Sequence, residues 1–466
     1  MSSLLDYQNF YLVGVKGVAM TSIAQCLIDA GKHVQGSDVA ADFVTKKILD
    51  RLQLKINNGF DHHLPAQIQA VIYTSAHQAK QNPQVQQAIK QGLPVYSQAE
   101  ALAEFFNQKK GVAVCGVGGK STVSAMITWI LTNSKHQPSF SVGVGEILGL
   151  SKTGQWSPQS EYFIAEADEY VIDPQVPAKQ RRPRFSFLKP YITVCTNLKF
   201  DHPDVYQDFA HTKKTFKQFF AQLKPNGKLI INGDNPDLQE LANEQAISFG
   251  EQNHNNWQLS DYQVRQGSTH STIKHQDQSY SLQLQIPGKY NALNAVAAIT
   301  ACQVLGTPVQ KALLALAKFR STKRRFEFIG EKNQTKYYDD YAHHPSEVKA
   351  AIQALNEWFP DRRKIIAFQP HTFSRTKKLF DQFVTAFAQA QEVVMIDIFA
   401  SAREEFDATI SSDLLCKAIE QQYPRIKTNN LSTIHNLAQY LETQLKPGDV
   451  CLTLGAGDIY EVHDLI

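Results

Sequence analysis

Lys120, Ser121 and Thr122 follow a glycine cluster in the stretch Val112-Ala-Val-Cys-Gly-Val-Gly-Gly-Lys-Ser-Thr122. An apolar run ends at the glycines, and a helical pattern over 123–131 begins just after the hydroxyls. Strand, glycine turn and helix start together make a phosphate cradle. Unobstructed backbone N–H groups face an anion, the helix dipole adds positive potential, a lysine such as Lys120 brings a point charge, and a hydroxyl such as that of Ser121 can ligate Mg2+. The full pattern asks for glycine where Val114 stands, so a tight strand–helix turn without a nucleotide stays open as the alternative.

Other polar clusters also close apolar runs. Residues 162–165 lead into Glu166-Ala-Asp-Glu169, three carboxylates that suit Mg2+, a hard ion that shares substrate phosphates, or that cap a following helix. Residues 192–196 lead to Asp201-His202, a turn or a second metal position. Pro287-Gly-Lys-Tyr-Asn291-Ala-Leu-Asn294 opens an alanine-rich helix with two amides on one face, fit for an adenine edge or for N-capping. In Asp339-Asp340-Tyr341-Ala-His343-His344-Pro345 the acidic and histidine pairs invite a zinc reading, but no further ligand stands at helical spacing. Arg375, in Gln369-Pro-His371-Thr-Phe-Ser-Arg375-Thr376, can clamp a carboxylate or form a surface ion pair. The basic run 179–184 reads as a solvated loop.

The elements that must position these groups alternate between strand and helix, which predicts an α/β protein. A chain of 466 residues makes about three domains, expected at 1–108, 109–322 and 323–466. The first opens as a Rossmann-like β-α-β unit: strand 10–15, turn Gly14-Val-Lys-Gly17, helix 20–30, strand 33–35, then Gly36-Ser37-Asp38. Further strands are expected at 71–74 and 94–96. The central domain is expected to be a parallel sheet of the phosphate-loop ATPase type, with strands at 162–165, 192–196 and 228–231. Polar alternation over 253–285 predicts an antiparallel extension of that sheet. The third domain again reads as Rossmann-like, with strands 336–338, 364–368 and 392–396 and helices 346–358 and 376–390.

Hydrophobic content of 43%, charged content of 20% and a net charge of +3 are ordinary for a globular protein and give no reason to expect nucleic acid as the partner. The six cysteines show no metal or redox spacing, which predicts buried free thiols in a reducing cytoplasm. Neither a signal core nor a run of membrane-spanning length is present, so a cytoplasmic protein without a membrane partner is expected.

Taken in order, these motifs resemble the Mur ligase family. The resemblance runs the length of the chain: Gly14-Val-Lys-Gly-Val-Ala-Met20, Gly36-Ser-Asp38, Gly116-Val-Gly-Gly-Lys-Ser121, Glu166-Ala-Asp-Glu169, Asp201-His202, Asn291 with Asn294, Arg324-Arg-Phe326, Asp339-Asp-Tyr-Ala-His-His-Pro345 and Gln369-Pro-His-Thr-Phe-Ser-Arg-Thr376. The last two point to the branch that adds L-alanine. The resemblance implies ATP-dependent amide formation through an acyl phosphate, with UDP-N-acetylmuramate, L-alanine and ATP as substrates, in a monomer or homodimer.

It also implies roles. Gly116, Val117, Gly118, Gly119, Lys120, Ser121 and Thr122 would hold ATP phosphates, with Asn291 and Asn294 at adenine, Asp340 at ribose and Arg325 at the γ-phosphate. Ser121 and Glu166 would ligate one Mg2+ and His202 a second. Gly14, Gly17, Ser37 and Asp38 would take the UDP part, and Tyr341, His343 and Arg375 the amino acid. Lys120, Glu166, His202, Arg325 and His343 form the implied catalytic set. The chain departs from the family at Val117 and Gly118 (usually Thr-His), at Tyr290 (usually His), and at Lys16 and Ala19 (usually Gly); some relatives have arginine where Thr372 stands. Two rival readings are a tripeptide-recycling ligase of the same family and a nucleotide-binding relative that no longer ligates.

Overall fold

Short apolar runs separated by amphipathic ones build three sheets. The computed structural model describes residues 3–173, 175–202, 205–265, 267–400 and 404–466. The first sheet contains β1 (Asn9–Val13), β2 (His33–Asp38), β3 (Lys55–Asn58), β4 (Ala70–Tyr73) and β5 (Val95–Ser97), in the order β3-β2-β1-β4-β5. All its pairings are parallel. Helices cover both faces of such a sheet, so Phe10, Tyr11 and Leu12 in its central strand are all buried.

The second sheet has ten strands: β6 (Lys110–Cys115), β7 (Ser139–Ser141), β8 (Gly154–Gln155), β9 (Tyr162–Glu166), β10 (Ile192–Cys195), β11 (Lys228–Asn232), β12 (Ile247–Gly250), β13 (Trp257–Arg265), β14 (Ser268–His275) and β15 (Gln278–Leu284). Its core is parallel, and β13, β14 and β15 form the expected antiparallel extension. The helices Lys120–Asn133 and Lys289–Val304 pack together over it through Met126, Ile127, Ile130, Val296 and Ile299. The third sheet runs β16-β17-β21-β18-β19-β20, from β16 (Glu327–Lys332), β17 (Thr335–Asp340), β18 (Lys364–Phe368), β19 (Glu392–Met395), β20 (Lys427–Asn430) and β21 (Val450–Leu454). It is parallel apart from the β16–β17 hairpin.

The first two sheets share one apolar core, which joins Leu12 and Phe105 to Ala113, Phe163 and Phe216. Polar pins reinforce that join: the Ser22 and Ser141 hydroxyls meet at 2.7 Å, and Gln25 Nε2 donates to Thr153 Oγ1 at 3.0 Å. All six cysteines are buried and free. No described helix is long and apolar enough to cross a membrane.

One helix differs from expectation. The span 376–390 holds parts of two helices, Phe373–Lys378 and Phe380–Ala386, meeting at Leu379. Leu379 leaves helical geometry at φ −109°, ψ 20°, and its side chain turns into the core beside Phe383 and Phe387. The i→i−4 bonds still run through the junction, from the Leu379 N–H to the Arg375 carbonyl at 3.0 Å and from the Phe383 N–H to the Leu379 carbonyl at 2.9 Å, so the break is a bend in the backbone. Upstream, Thr372 adopts φ +68°, which starts the first helix at Phe373.

Candidate active site

The central loop leaves β6 with Gly116 at φ +120° and enters its helix through Gly119 at φ +86°. A side chain at Gly116 would collide with the Thr196 hydroxyl, and one at Gly119 with the Asn294 amide, so glycine is required at both by conformation and by space. No side chain caps the helix that begins at Lys120, which leaves its first N–H groups directed at the opening. Asn197 holds the loop from the neighbouring strand end. Its Oδ1 accepts the Val117 and Gly118 N–H groups at 3.0 and 3.1 Å, and its Nδ2 donates to the Gly118 carbonyl at 2.8 Å.

Lys120 Nζ donates to both oxygens of Glu169, at 2.9 and 2.8 Å. Burial alone would lower the pKa of this ammonium, but Glu169 and Asp168 outweigh it and hold it above its ordinary value. Glu166, one strand over, accepts the Gly143 N–H at 2.8 Å. Burial raises its carboxyl against the opposing pull of Arg325 and Lys120. Asp168 pairs with Arg184 at 2.6 Å, and Arg184 also donates to the Ser75 hydroxyl of the first domain. The basic run is therefore not wholly solvated: its last arginine turns inward and ties two domains.

Asp201 and His202 follow β10. Asp201 Oδ1 accepts from Arg375 Nε and Nη2 at 3.1 and 3.0 Å, a buried pair across the second and third domains. Burial opposes ionisation of Asp201, yet His202 and Arg375 hold its carboxyl well below the usual range. His202 lies 3.5 Å from Glu169; burial opposes its protonation, and Asp201 and Glu169 still raise its pKa.

The third domain supplies the facing wall. Arg325 Nη2 donates to Ser121 Oγ at 3.3 Å, whereas its neighbour Arg324 is a structural group, buried and paired with Asp339 at 3.1 Å. Asp340 accepts the Phe326 and Ala342 N–H groups, each at 2.7 Å; burial raises its carboxyl to about 6 against the opposing effect of Arg325. His343 Nδ1 lies 2.9 Å from the Tyr341 carbonyl. A carbonyl only accepts, so Nδ1 carries the proton and Nε2 is the basic atom. Burial and then Arg375 push this imidazole down, which keeps it neutral at physiological pH.

Two cavities meet at the loop. The larger, of 420 Å³, is lined by Lys120, Ser121, Glu166 and His202 on one side and Arg325, Tyr341 and His343 on the other. The smaller, of 200 Å³, is lined by Gly118, Thr122, Asn291, Asn294, Asp340 and Glu347. Asn291 is not an N-cap; Gly288 holds that position, and the Asn291 amide donates to the Pro287 carbonyl at 2.7 Å.

The turn in the first domain stands apart from both cavities. Gly14 adopts φ +83° against Thr74. Ser37 and Asp38 are buried beneath it: the Ser37 hydroxyl donates to Gln84 at 2.5 Å, and Asp38 accepts the Lys16 and Val39 N–H groups at 2.7 and 2.8 Å. These two side chains shape the turn in this state rather than face its opening. From this domain Val18, Ala19, Val44, Gln98, Ala99 and Leu102 line the larger cavity. Sequence reasoning missed Glu347, which caps the helix Pro345–Trp358 and reaches the loop, and left Glu169 open between metal binding and structural support.

Three family descriptions match the chain in succession: "Mur ligase family, catalytic domain" over residues 9–110, "Mur ligase middle domain" over 114–302 and "Mur ligase, glutamate ligase domain" over 324–457. The chain belongs to the Mur ligase family. Among its relatives, the UDP-N-acetylmuramate–L-alanine ligase of Desulfitobacterium hafniense (strain Y51) is 35% identical, with 97% of this chain and 98% of that protein covered. Among solved structures, the UDP-N-acetylmuramate–alanine ligase of Thermotoga maritima superposes with a TM-score of 0.80 at 21% identity, covering 98% of each chain. A murein peptide ligase from Psychrobacter arcticus 273-4 follows with 0.71 at 21% identity, again over 98% of each. In this Mur ligase, residues of all three matched domains line the larger cavity beside Lys120.

Proposed function

We propose that this Mur ligase joins L-alanine to the lactyl carboxylate of UDP-N-acetylmuramate, forming ADP and phosphate through an acyl phosphate, in the supply of cell-wall precursors. The observation that carries this reading is the larger cavity, where phosphate-loop groups of the second domain face Arg325, Tyr341 and His343 of the third. Likeness to a named L-alanine ligase over nearly the full length supports the choice of substrates. We assign the protein to the cytoplasm, where its nucleotide substrates are.

In this reading ATP lies with its base by Asn291 and Asn294, its ribose at Asp340 and its phosphates on the loop. A carboxylate oxygen of the sugar nucleotide attacks the γ-phosphorus, and the bond to the ADP oxygen breaks. Lys120 and Arg325 offset the charge of the transferring group, so Lys120 exchanges Glu169 for phosphate. The alanine amine then attacks the acyl carbon, and phosphate leaves with the former carboxylate oxygen. Arg375 holds the amino-acid carboxylate, and neutral His343 offers Nε2 as a hydrogen-bond acceptor that orients the alanine nitrogen toward the acyl carbon.

The Ser121 hydroxyl and the adjacent Glu166 carboxylate are oxygen donors that fit Mg2+, and His202 lines the same cavity. Among the described residues no cluster of three or more His, Cys, Asp or Glu forms a full metal cage. Mg2+ takes few protein ligands and completes its shell with phosphate oxygens and water, and when bound it would neutralise phosphate charge.

ATP-dependent phosphate release with UDP-N-acetylmuramate tests the substrate assignment. Release with L-alanine and not with the tripeptide is expected; release with the tripeptide alone transfers the activity to a recycling ligase, and none with either leaves a nucleotide-binding relative.

A pH dependence follows from Asp340, whose carboxyl sits at about 6 in the free protein. Ribose hydroxyls donate to the charged form, so nucleotide binding lowers this pKa. ATP affinity is then full above pH 6 and falls as pH drops below it, by up to about tenfold per unit. Calorimetric titration at pH 5 to 8 checks this, with Asp340→Asn removing the dependence.

A further inference from the structure

Lys199 stands two residues beyond Asn197, on the segment that leaves β10. The Asn197 amide ties that segment to the loop at three points. Lys199 itself has no hydrogen bond or ion pair among the described residues, and it lines the smaller cavity beside Gly118, Asn291 and Asp340. Partial enclosure lowers the pKa of its ammonium, with Glu347 pulling the other way.

The loop beneath it is bare. Val117 offers no polar side chain, and Gly118 has none; a Cβ placed there would stand 3.1 Å from Glu347 Oε1 and 3.6 Å from Asn197 Nδ2. Glu347 thus fills the space that a side chain at 118 would need. Of the cations already assigned to the reaction, Lys120 is bound to Glu169, and Arg325, which lines both cavities, donates to Ser121. On the nucleotide side Asp340 and Glu347 set two carboxylates against Arg325 as the other cation of the lining, so an approaching polyphosphate meets net repulsion there unless Lys199 adds its charge.

We propose that Lys199 is a nucleotide-binding residue of this chain, holding an ATP phosphate over the outer side of the loop in place of the side-chain donors missing at Val117 and Gly118. Its free ammonium joins Arg325 in offsetting the charge of Asp340 and Glu347 as the polyphosphate enters. The inference rests on the ATP site proposed above and adds a contact that none of the motifs includes.

Calorimetric titration of ATP, ADP and adenosine into the wild type, Lys199→Ala and Lys199→Arg tests it. Lys199→Ala is expected to weaken ATP about tenfold, as for loss of one charge-assisted hydrogen bond, while adenosine changes less than twofold and Lys199→Arg retains most of the affinity. An equal loss for ADP assigns the contact to the α- or β-phosphate, and a loss for ATP alone to the γ-phosphate. ATP bound equally well by Lys199→Ala, or an equal loss for adenosine, overturns the inference alone. A wild type that binds no ATP overturns the nucleotide site and the inference with it.

Discussion

Lys120→Ala is expected to lower kcat by about 1,000-fold or more, since it removes a charge aimed at the transferring phosphoryl group. The structure adds a second effect. Glu169 is only 2% exposed and accepts Lys120 through both oxygens, so the variant strands a buried carboxylate with His202 as its remaining neighbour. Breaking such a pair costs about 3–5 kcal/mol, and thermal melting should show it. The double variant Lys120→Ala with Glu169→Gln separates the two effects: it should recover most of the lost stability and none of the turnover. Near-normal turnover in the single variant would remove the loop from the mechanism.

Arg375→Ala is expected to raise the KM for L-alanine about 100-fold, with the KM for ATP changed far less, because two charge-assisted hydrogen bonds to a carboxylate are lost. In the present arrangement those donors serve Asp201, at 3.1 and 3.0 Å, and Nη1 meets His371 Nδ1 at 3.1 Å. The amino acid therefore competes with Asp201 or joins it. Arg375→Lys keeps the charge but loses the planar fork, and an intermediate KM is expected. Steady-state kinetics with melting curves decide the matter: a lower Tm with an unchanged KM for L-alanine would make Arg375 a tie between domains and nothing more.

What was legible in the sequence follows from burial. Strands covered on both faces, such as β10 and β18, are mainly apolar runs and stood out. The edge strands β3 and β20, Lys-Ile-Asn-Asn and Lys-Thr-Asn-Asn, carry the polar side chains of a half-exposed border, and no apolar pattern marks them as strands. The site divided in the same way. Residues delivered by a glycine turn or a strand end, Lys120, Glu166 and Asp340, announced themselves by type and position. Glu169, Asn197, Glu347 and Lys199 did not, because their meaning lies in which neighbours they reach across a gap. A local pattern cannot tell that Glu169 meets Lys120 while Asp168 meets Arg184. Ser37, which the family resemblance offers to the UDP part, donates to Gln84 in this structure, a partner that no local pattern gives.

The central claim is that this chain activates a carboxylate by phosphorylation and then aminates it with L-alanine. The most direct measurement supplies UDP-N-acetylmuramate with both lactyl carboxylate oxygens labelled by oxygen-18, together with ATP and L-alanine, and weighs the products. An acyl phosphate predicts one labelled oxygen in the released phosphate and one retained in the amide. Phosphate released without label would contradict the account.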